Sequence, residues 1–250
     1  MVPGSEAELA LLLDLFPDGV EELDDGFAVY TDAVGERAVR ERFPTAVASS
    51  VADGWEDAWR DFHHGILAGR LWVGPPWEEP SAGAESIVID PGRAFGTGAH
   101  PTTRLSLELL QRLEPASLLG SAGLVEQASL LDIGCGSGVL AIAAAKLGFA
   151  PVTGVDVDEA AVEATLANAR ANGVHVGAYR ADALVDELPQ ADVAVANVAL
   201  DVVERLAARL DVEFFVASGY LERDEPQLPG RRRRDRRTSE GWAADLFEPA

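Results

Sequence analysis

One cysteine, Cys135, stands in the whole chain of 250 residues. The chain therefore cannot form an internal disulfide, and it has no cysteine cluster for zinc; no metal site is expected. Long apolar runs are missing too. None reaches the ~18 to 20 residues needed to cross a bilayer, and the apolar stretch 9–16 is preceded by Glu6 and Glu8 and broken by Asp14. Neither a signal peptide nor a membrane anchor is expected, and a reducing, cytoplasmic setting fits these absences. Positive charge is also scarce, with 20 Lys and Arg against 42 Asp and Glu and a formal net charge of −22. Broad attachment to nucleic acid requires clustered basic residues, so direct DNA binding is not expected and a basic protein partner suits the chain better. The local exception is the arginine-rich run 231–237. It reads either as an RNA contact or, preferably, as a strand edge whose charges oppose aggregation.

What is present is enough apolar residue, 48% of the chain, for a substantial core. From residue 5 to about 52 the pattern gives a helix at 6–15, a turn at 17–19, a strand at 27–30, a helix at 36–42 and a strand at 45–50. Residues 1–54 thus suggest a small α+β domain. A Trp- and Pro-rich linker follows at 55–85, whose aromatics either line a substrate groove or, preferably, staple two domains together. From 86 to 250 strands and helices alternate. Strands are expected at 86–89, 130–133, 152–155, 176–179, 193–196 and 214–217, and helices at 102–112, 139–147, 159–171 and 201–210. Residues 117–127 read as a loop insertion, and the chain closes with a poor helix at 222–230, the arginine-rich strand and a final hairpin. Near-continuous apolar strands joined by helices imply an α/β fold with a doubly wound, mostly parallel sheet. The loops after Ile133, Val155 and Ala196 then share one rim, where ligands of such sheets sit.

Two glycine-rich segments carry the chemistry. One is Phe95-Gly96-Thr97-Gly98-Ala99-His100-Pro101-Thr102-Thr103, and the other is Leu131-Asp132-Ile133-Gly134-Cys135-Gly136-Ser137-Gly138. The second lies at a strand-to-helix turn, where a ligand can approach bare backbone. Its Gly-x-Gly-x-Gly spacing differs from the dinucleotide fingerprint, which counts against a nicotinamide oxidoreductase. Asp156, about 20 residues beyond the loop and after the next strand, stands where an acid binds ribose hydroxyls. Asp158 and Glu159 read as helix-dipole acids. Asp182 either reaches an adenine amino group or is an ordinary loop acid. Thr103 offers a hydroxyl near a helix start, for a ligand or for capping. Asn197 follows a buried strand on the rim, where its amide can donate and accept. His100 fits a structural role better than that of a general base.

These residues resemble the class I S-adenosylmethionine-dependent methyltransferases, and within them the family that methylates large-subunit ribosomal protein eleven. The run from Ile89 to Thr103 is the specific part. The stretch from Asp132 to Leu140, Gly154-Val155-Asp156-Val157-Asp158 and Ala196-Asn197-Val198 support it, and Trp55, Trp59, Phe62 and Leu71-Trp72-Val73 extend it upstream. The resemblance implies a Rossmann-like, seven-stranded-type sheet and S-adenosyl-L-methionine as cofactor. It implies cofactor-binding positions at Phe95, Gly96, Thr97, Gly98, Thr103, Asp132, Gly134, Gly136, Asp156, Asp182 and Asn197, with the 95–98 loop over the methionine end and Asn197 as the catalytic residue. The implied substrate is the amines of the ribosomal protein, on lysine side chains or the N-terminus, gripped by a ferredoxin-like N-terminal domain that here lacks its first strand. A monomer is expected. Asn197-Val198-Ala199-Leu200 departs from the Asn-Pro-Pro-Tyr of base methyltransferases, whose aromatic stacks on a flipped base. A methyltransferase of another protein or of a small molecule, or a silent cofactor-binding relative, remains the alternative.

Overall fold

The computed structural model describes residues 12, 21–23, 26–29, 33–47, 64–90, 100–113 and 127–250. Contacts divide the chain into two compact units, Met1–Ala58 and Trp59–Ala250. In the first, β1 (Glu21–Leu23) and β2 (Gly26–Ala28) pair as an antiparallel hairpin ahead of helix α1 (Ala33–Arg42). Leu12, Phe27, Val39 and Phe43 form its small core. The strand expected at 45–50 is absent over 45–47, because the Ala46 amide donates to the Phe43 carbonyl at 2.9 Å and closes a turn. Residues 48–50, and the helix expected at 6–15 apart from Leu12, lie outside the described residues, as do Trp55, Trp59 and Phe62.

The second unit holds two sheets. Strands β3 (Ile66–Ala68), β4 (Leu71–Gly74) and β5 (Glu85–Val88) form the smaller one, with β3 antiparallel and β5 parallel to β4. Two of these strands lie within the stretch 55–85, for which the sequence suggests a linker. The larger sheet has seven strands: β6 (Leu130–Ile133), β7 (Val152–Asp156), β8 (Gly177–Arg180), β9 (Val193–Asn197), β10 (Phe214–Leu221), β11 (Arg231–Ser239) and β12 (Trp242–Pro249). Their order is β11-β12-β10-β9-β6-β7-β8, parallel from β10 to β8 and antiparallel at the terminal hairpin. Helices α2 (Pro101–Leu110), α3 (Val139–Lys146), α4 (Glu159–Ala171) and α5 (Leu200–Ala207) complete the unit.

Strand β5 pairs with β4 on one side and meets a side chain at its end on the other. The Val88 amide donates to Asn172 Oδ1 at 2.9 Å, and Asn172 Nδ2 donates back to the Val88 carbonyl at 2.6 Å. A backbone pair occupied in this way is not offered to a further strand. In β9 the period of two sends Val193 and Val195 to one apolar cluster and Ala194 and Ala196 to the other. Both faces are thereby buried, which is why the strand reads as a continuous apolar run. Helix α3 is buried from Val139 to Ala144, and its sequence is correspondingly apolar all round.

The arginine-rich strand β11 is an edge strand whose guanidinium groups are occupied internally. Arg231 donates to the carbonyls of Leu210 and Val212, Arg232 and Arg234 pair with Glu248, Arg233 and Arg236 pair with Glu225 and Asp245, and Arg237 lies against Asp235. This favours the strand-edge reading over RNA contact. No helix among the described residues is long and apolar enough to cross a membrane.

Candidate active site

Chain order dictates where a ligand fits. From β6 the chain proceeds outward to β7 and β8, then returns to place β9 on the other side of β6. The strand order reverses between β6 and β9, and open α/β sheets bind ligands in the crevice at the carboxyl ends of such a pair. The glycine loop leaves β6 here and Asn197 ends β9. Between them is a cavity of about 480 Å³ whose lining includes Thr103, Gly134, Gly136, Asp156, Asp182 and Asn197. Among the described residues that line it there is no aromatic ring.

The loop is built for close approach. Gly138 has φ 82°, and a Cβ there would meet Thr165 Cα at 2.9 Å, so any other residue would push α4 away. Asp156, at the end of β7, accepts from the Gly136 amide at 3.0 Å through Oδ2 and from the Asp158 amide at 3.0 Å through Oδ1. A carboxylate has about four lone-pair sites, so both oxygens retain capacity for a ligand's hydroxyls. Asp158 caps α4 by accepting from the Ala160 amide at 2.9 Å, which bears out its structural reading.

On the opposite wall, Asn197 Nδ2 donates to the Thr103 hydroxyl at 3.3 Å. Asn197 pairs in register with Ser218 of β10, and the following Val198 amide donates to the Ser218 carbonyl at 3.0 Å. A bulge in β10 makes room for this chain path: Gly219 has φ 101°, and a Cβ would collide with the Val198 carbonyl. His100 is the N-cap of α2. Its Nδ1 lies 2.7 Å from the Thr102 hydroxyl, and its ring stands edge-on to Trp242 at 4.8 Å. This is the structural role expected of it.

Asp132 differs from the other candidates. It lies 1% exposed beneath the loop and outside the cavity lining, with Oδ2 accepting from the Ala141 amide at 3.0 Å and Oδ1 unpartnered. Burial pushes its pKa up to about 7, against the pull of the Ala141 amide, with the Asp156 charge adding to the rise. Cys135 lines the cavity, but burial and then the Asp132 charge push its thiol up to about 12. It is therefore no nucleophile at neutral pH. Among the described residues, no group of three His, Cys, Asp or Glu is placed to hold a metal ion.

Comparison with known proteins agrees with this geometry. The family Ribosomal protein L11 methyltransferase (PrmA) matches residues 24–225. The chain belongs to this family. A ribosomal protein L11 methyltransferase of Shewanella sediminis (strain HAW-EB3) is 44% identical over 162 residues, covering 61% of this chain and 50% of that protein. The Aliivibrio fischeri (strain MJ11) protein of the same name is 41% identical over 186 residues, covering 71% and 58%. The chain thus spans about half the length of the curated relatives it matches. The crystal structure of a ribosomal protein L11 methylase from Lactobacillus delbrueckii subsp. bulgaricus superposes with a TM-score of 0.62 at 27% identity, covering 74% of this chain and 98% of that one.

The family match includes the cavity, whereas strands β11 and β12 fall beyond its last matched residue. Phe95, Gly96, Thr97 and Gly98, the most family-specific part of the sequence, lie outside the described residues. Several lining residues have no ligand role in the sequence reading, Val157, Leu184, Val198 and Val202 among them. Val157 and Val198 directly follow Asp156 and Asn197, and that adjacency was the available signal.

Proposed function

We propose that this chain binds S-adenosyl-L-methionine in the β6/β9 cavity and methylates amines of ribosomal protein L11, on lysine side chains or the N-terminus, as a monomer. The observation that carries the reading is the convergence of Thr103, Asp156, Asn197 and the glycine loop on one cavity at the strand-order reversal. The residues fit the cofactor. The volume lies within the roughly 300 to 1,000 Å³ of small-molecule sites. Asp156 suits ribose hydroxyls, and Val155, Val157, Ala181 and Leu184 offer apolar wall for a base.

When bound, S-adenosylmethionine supplies a methyl group already activated on a sulfonium. The chain's own residues must then position and desolvate the acceptor. A lysine amine, with a reference pKa near ~10.4, must be neutral to attack, and an apolar, water-poor site favours that form. Asn197 Nδ2 is engaged with Thr103, which turns Oδ1 into the acceptor available to an amine N–H. No side-chain general base is needed, because the proton can leave to water. The residues after Asn197, Val198-Ala199-Leu200, carry no ring to stack on a flipped nucleobase, which supports an amine over a base. The small N-terminal domain is the part we assign to substrate docking.

The test is to incubate the protein with radiolabelled S-adenosylmethionine and recombinant L11, then locate the label by mass spectrometry. Label on lysine or the N-terminal amine is expected. No label, with cofactor binding still visible by calorimetry, would overturn the substrate and keep the site.

A further inference from the structure

Helix α4 and its C-cap present three polar residues at the spacing that brings side chains into line: Thr165, Asn168 and the C-cap Asn172. Thr165 and Asn168 are buried, at 0% and 5% exposure. The Thr165 hydroxyl donates to the Gly136 carbonyl at 3.0 Å. Asn168 uses both ends of its amide: Oδ1 accepts from the Asp90 amide at 3.2 Å, and Nδ2 donates to the Ser137 carbonyl at 2.9 Å. One planar group therefore ties the glycine loop to the backbone just beyond β5. Asn172 holds the same β5 at Val88, and its Nδ2 also donates to the Asn168 carbonyl at 2.8 Å.

We infer that Asn168 is a positioning residue for the cofactor loop. A loop rich in glycine has much backbone freedom to lose when it orders around a ligand. An anchor that removes this freedom beforehand lowers the cost of binding. The side-chain amide, held at both ends, fixes the Ser137 carbonyl, next to Gly136, whose own amide donates to Asp156. Thr165 acts in the same direction one turn earlier in the helix. The residue touches no reacting atom, so its effect reaches the ligand only through the loop. The inference rests on the cofactor reading for its affinity arm alone.

The experiment compares Asn168→Ala with Asn172→Ala by calorimetry with S-adenosylmethionine, by melting temperature, and by amide hydrogen exchange in the ligand-free protein. Asn168→Ala is expected to raise Kd at least tenfold and to speed exchange at Gly136 and Gly138 at least tenfold. Asn172→Ala, with a similar loss of melting temperature, is expected to leave both within twofold. Equal effects of the two variants, or an Asn168 variant within twofold of the unsubstituted protein, would overturn the inference. If Asn168→Ala fails to fold, Asn168→Ser serves, with the same thresholds. The exchange arm decides the matter even if the unsubstituted protein binds no cofactor, an outcome that would count against the proposed function instead.

Discussion

Asn197 Nδ2 donates to the Thr103 hydroxyl across 3.3 Å, joining two residues of the cavity lining that are 94 positions apart in the chain. Thr103 is 2% exposed, so its hydroxyl has little water to turn to. Thr103→Val keeps the shape and removes the acceptor. One such hydrogen bond is worth about 1 kcal/mol, so the fold should survive. The Asn197 amide would lose its fixed orientation, and misplacement near reacting atoms can cost about a hundredfold in rate. Steady-state kinetics should show kcat reduced by about ten- to a hundredfold with cofactor Kd changed far less. An unchanged kcat would mean that other contacts orient Asn197.

Asp156 makes a separate demand. Its two oxygens already hold the Gly136 and Asp158 amides, and the proposed ribose hydroxyls would add to that set. Asp156→Ala should raise the Kd for S-adenosylmethionine by more than about tenfold, the equivalent of one charge-assisted hydrogen bond. The melting temperature should fall only slightly, since the carboxylate bonds to loop and helix-entry backbone. Calorimetry showing unchanged affinity would sink the ribose assignment.

Much of this site could be read along the chain, for a physical reason. Parallel strands buried on both faces are written as apolar runs, and so β6, β7 and β9 stand out with Gly134, Asp156 and Asn197 at their ends. The residues that failed to show are those whose role depends on a distant partner. Asn172 holds the Val88 backbone of β5, yet nothing in the order of residues links the two, and β5 reads as another strand of the large sheet. The arginine-rich strand posed the same difficulty. Its partners Glu225, Asp245 and Glu248 lie on a loop and on the neighbouring strand, so a run that looks free in sequence is paired in space.

That pairing has a buried centre. Asp245 is 0% exposed and accepts from the Tyr220 hydroxyl at 2.9 Å, with Arg236 at 3.5 Å and Arg233 at 3.8 Å. Burial holds its carboxyl above the ordinary range despite the Tyr220 hydrogen bond and the two guanidinium groups. Arg233 and Arg236 also pair with Glu225, so what Asp245→Ala strands is the buried Tyr220 hydroxyl. Leaving a buried polar group without its partner costs about 1 to 3 kcal/mol, which is the loss expected for Asp245→Ala in urea unfolding, with about 1 to 2 kcal/mol for Tyr220→Phe. A loss below about 1 kcal/mol for Asp245→Ala would show that the Tyr220 hydroxyl is satisfied by the Ala217 carbonyl alone.

Asp132 gives a pH dependence with a defined sign. Its ordinary pKa is 3.8, and burial raises it to about 7 in the folded chain. Between about pH 4 and pH 7 the folded protein holds a proton that the unfolded chain releases, so stability falls as pH rises through this window. The stabilising share of that proton is complete below about pH 4 and gone above about pH 7. At ~1.4 kcal/mol per unit, the difference is on the order of 4 kcal/mol. Asp132→Asn retains an oxygen for the Ala141 amide and cannot titrate. Urea unfolding at about pH 4.5 and about pH 7.5 should show the variant gaining on the unsubstituted chain by a few kcal/mol at the higher pH. An offset equal at both pH values would mean that Asp132 ionises below the window and that the Ala141 amide of α3, rather than burial, governs its charge.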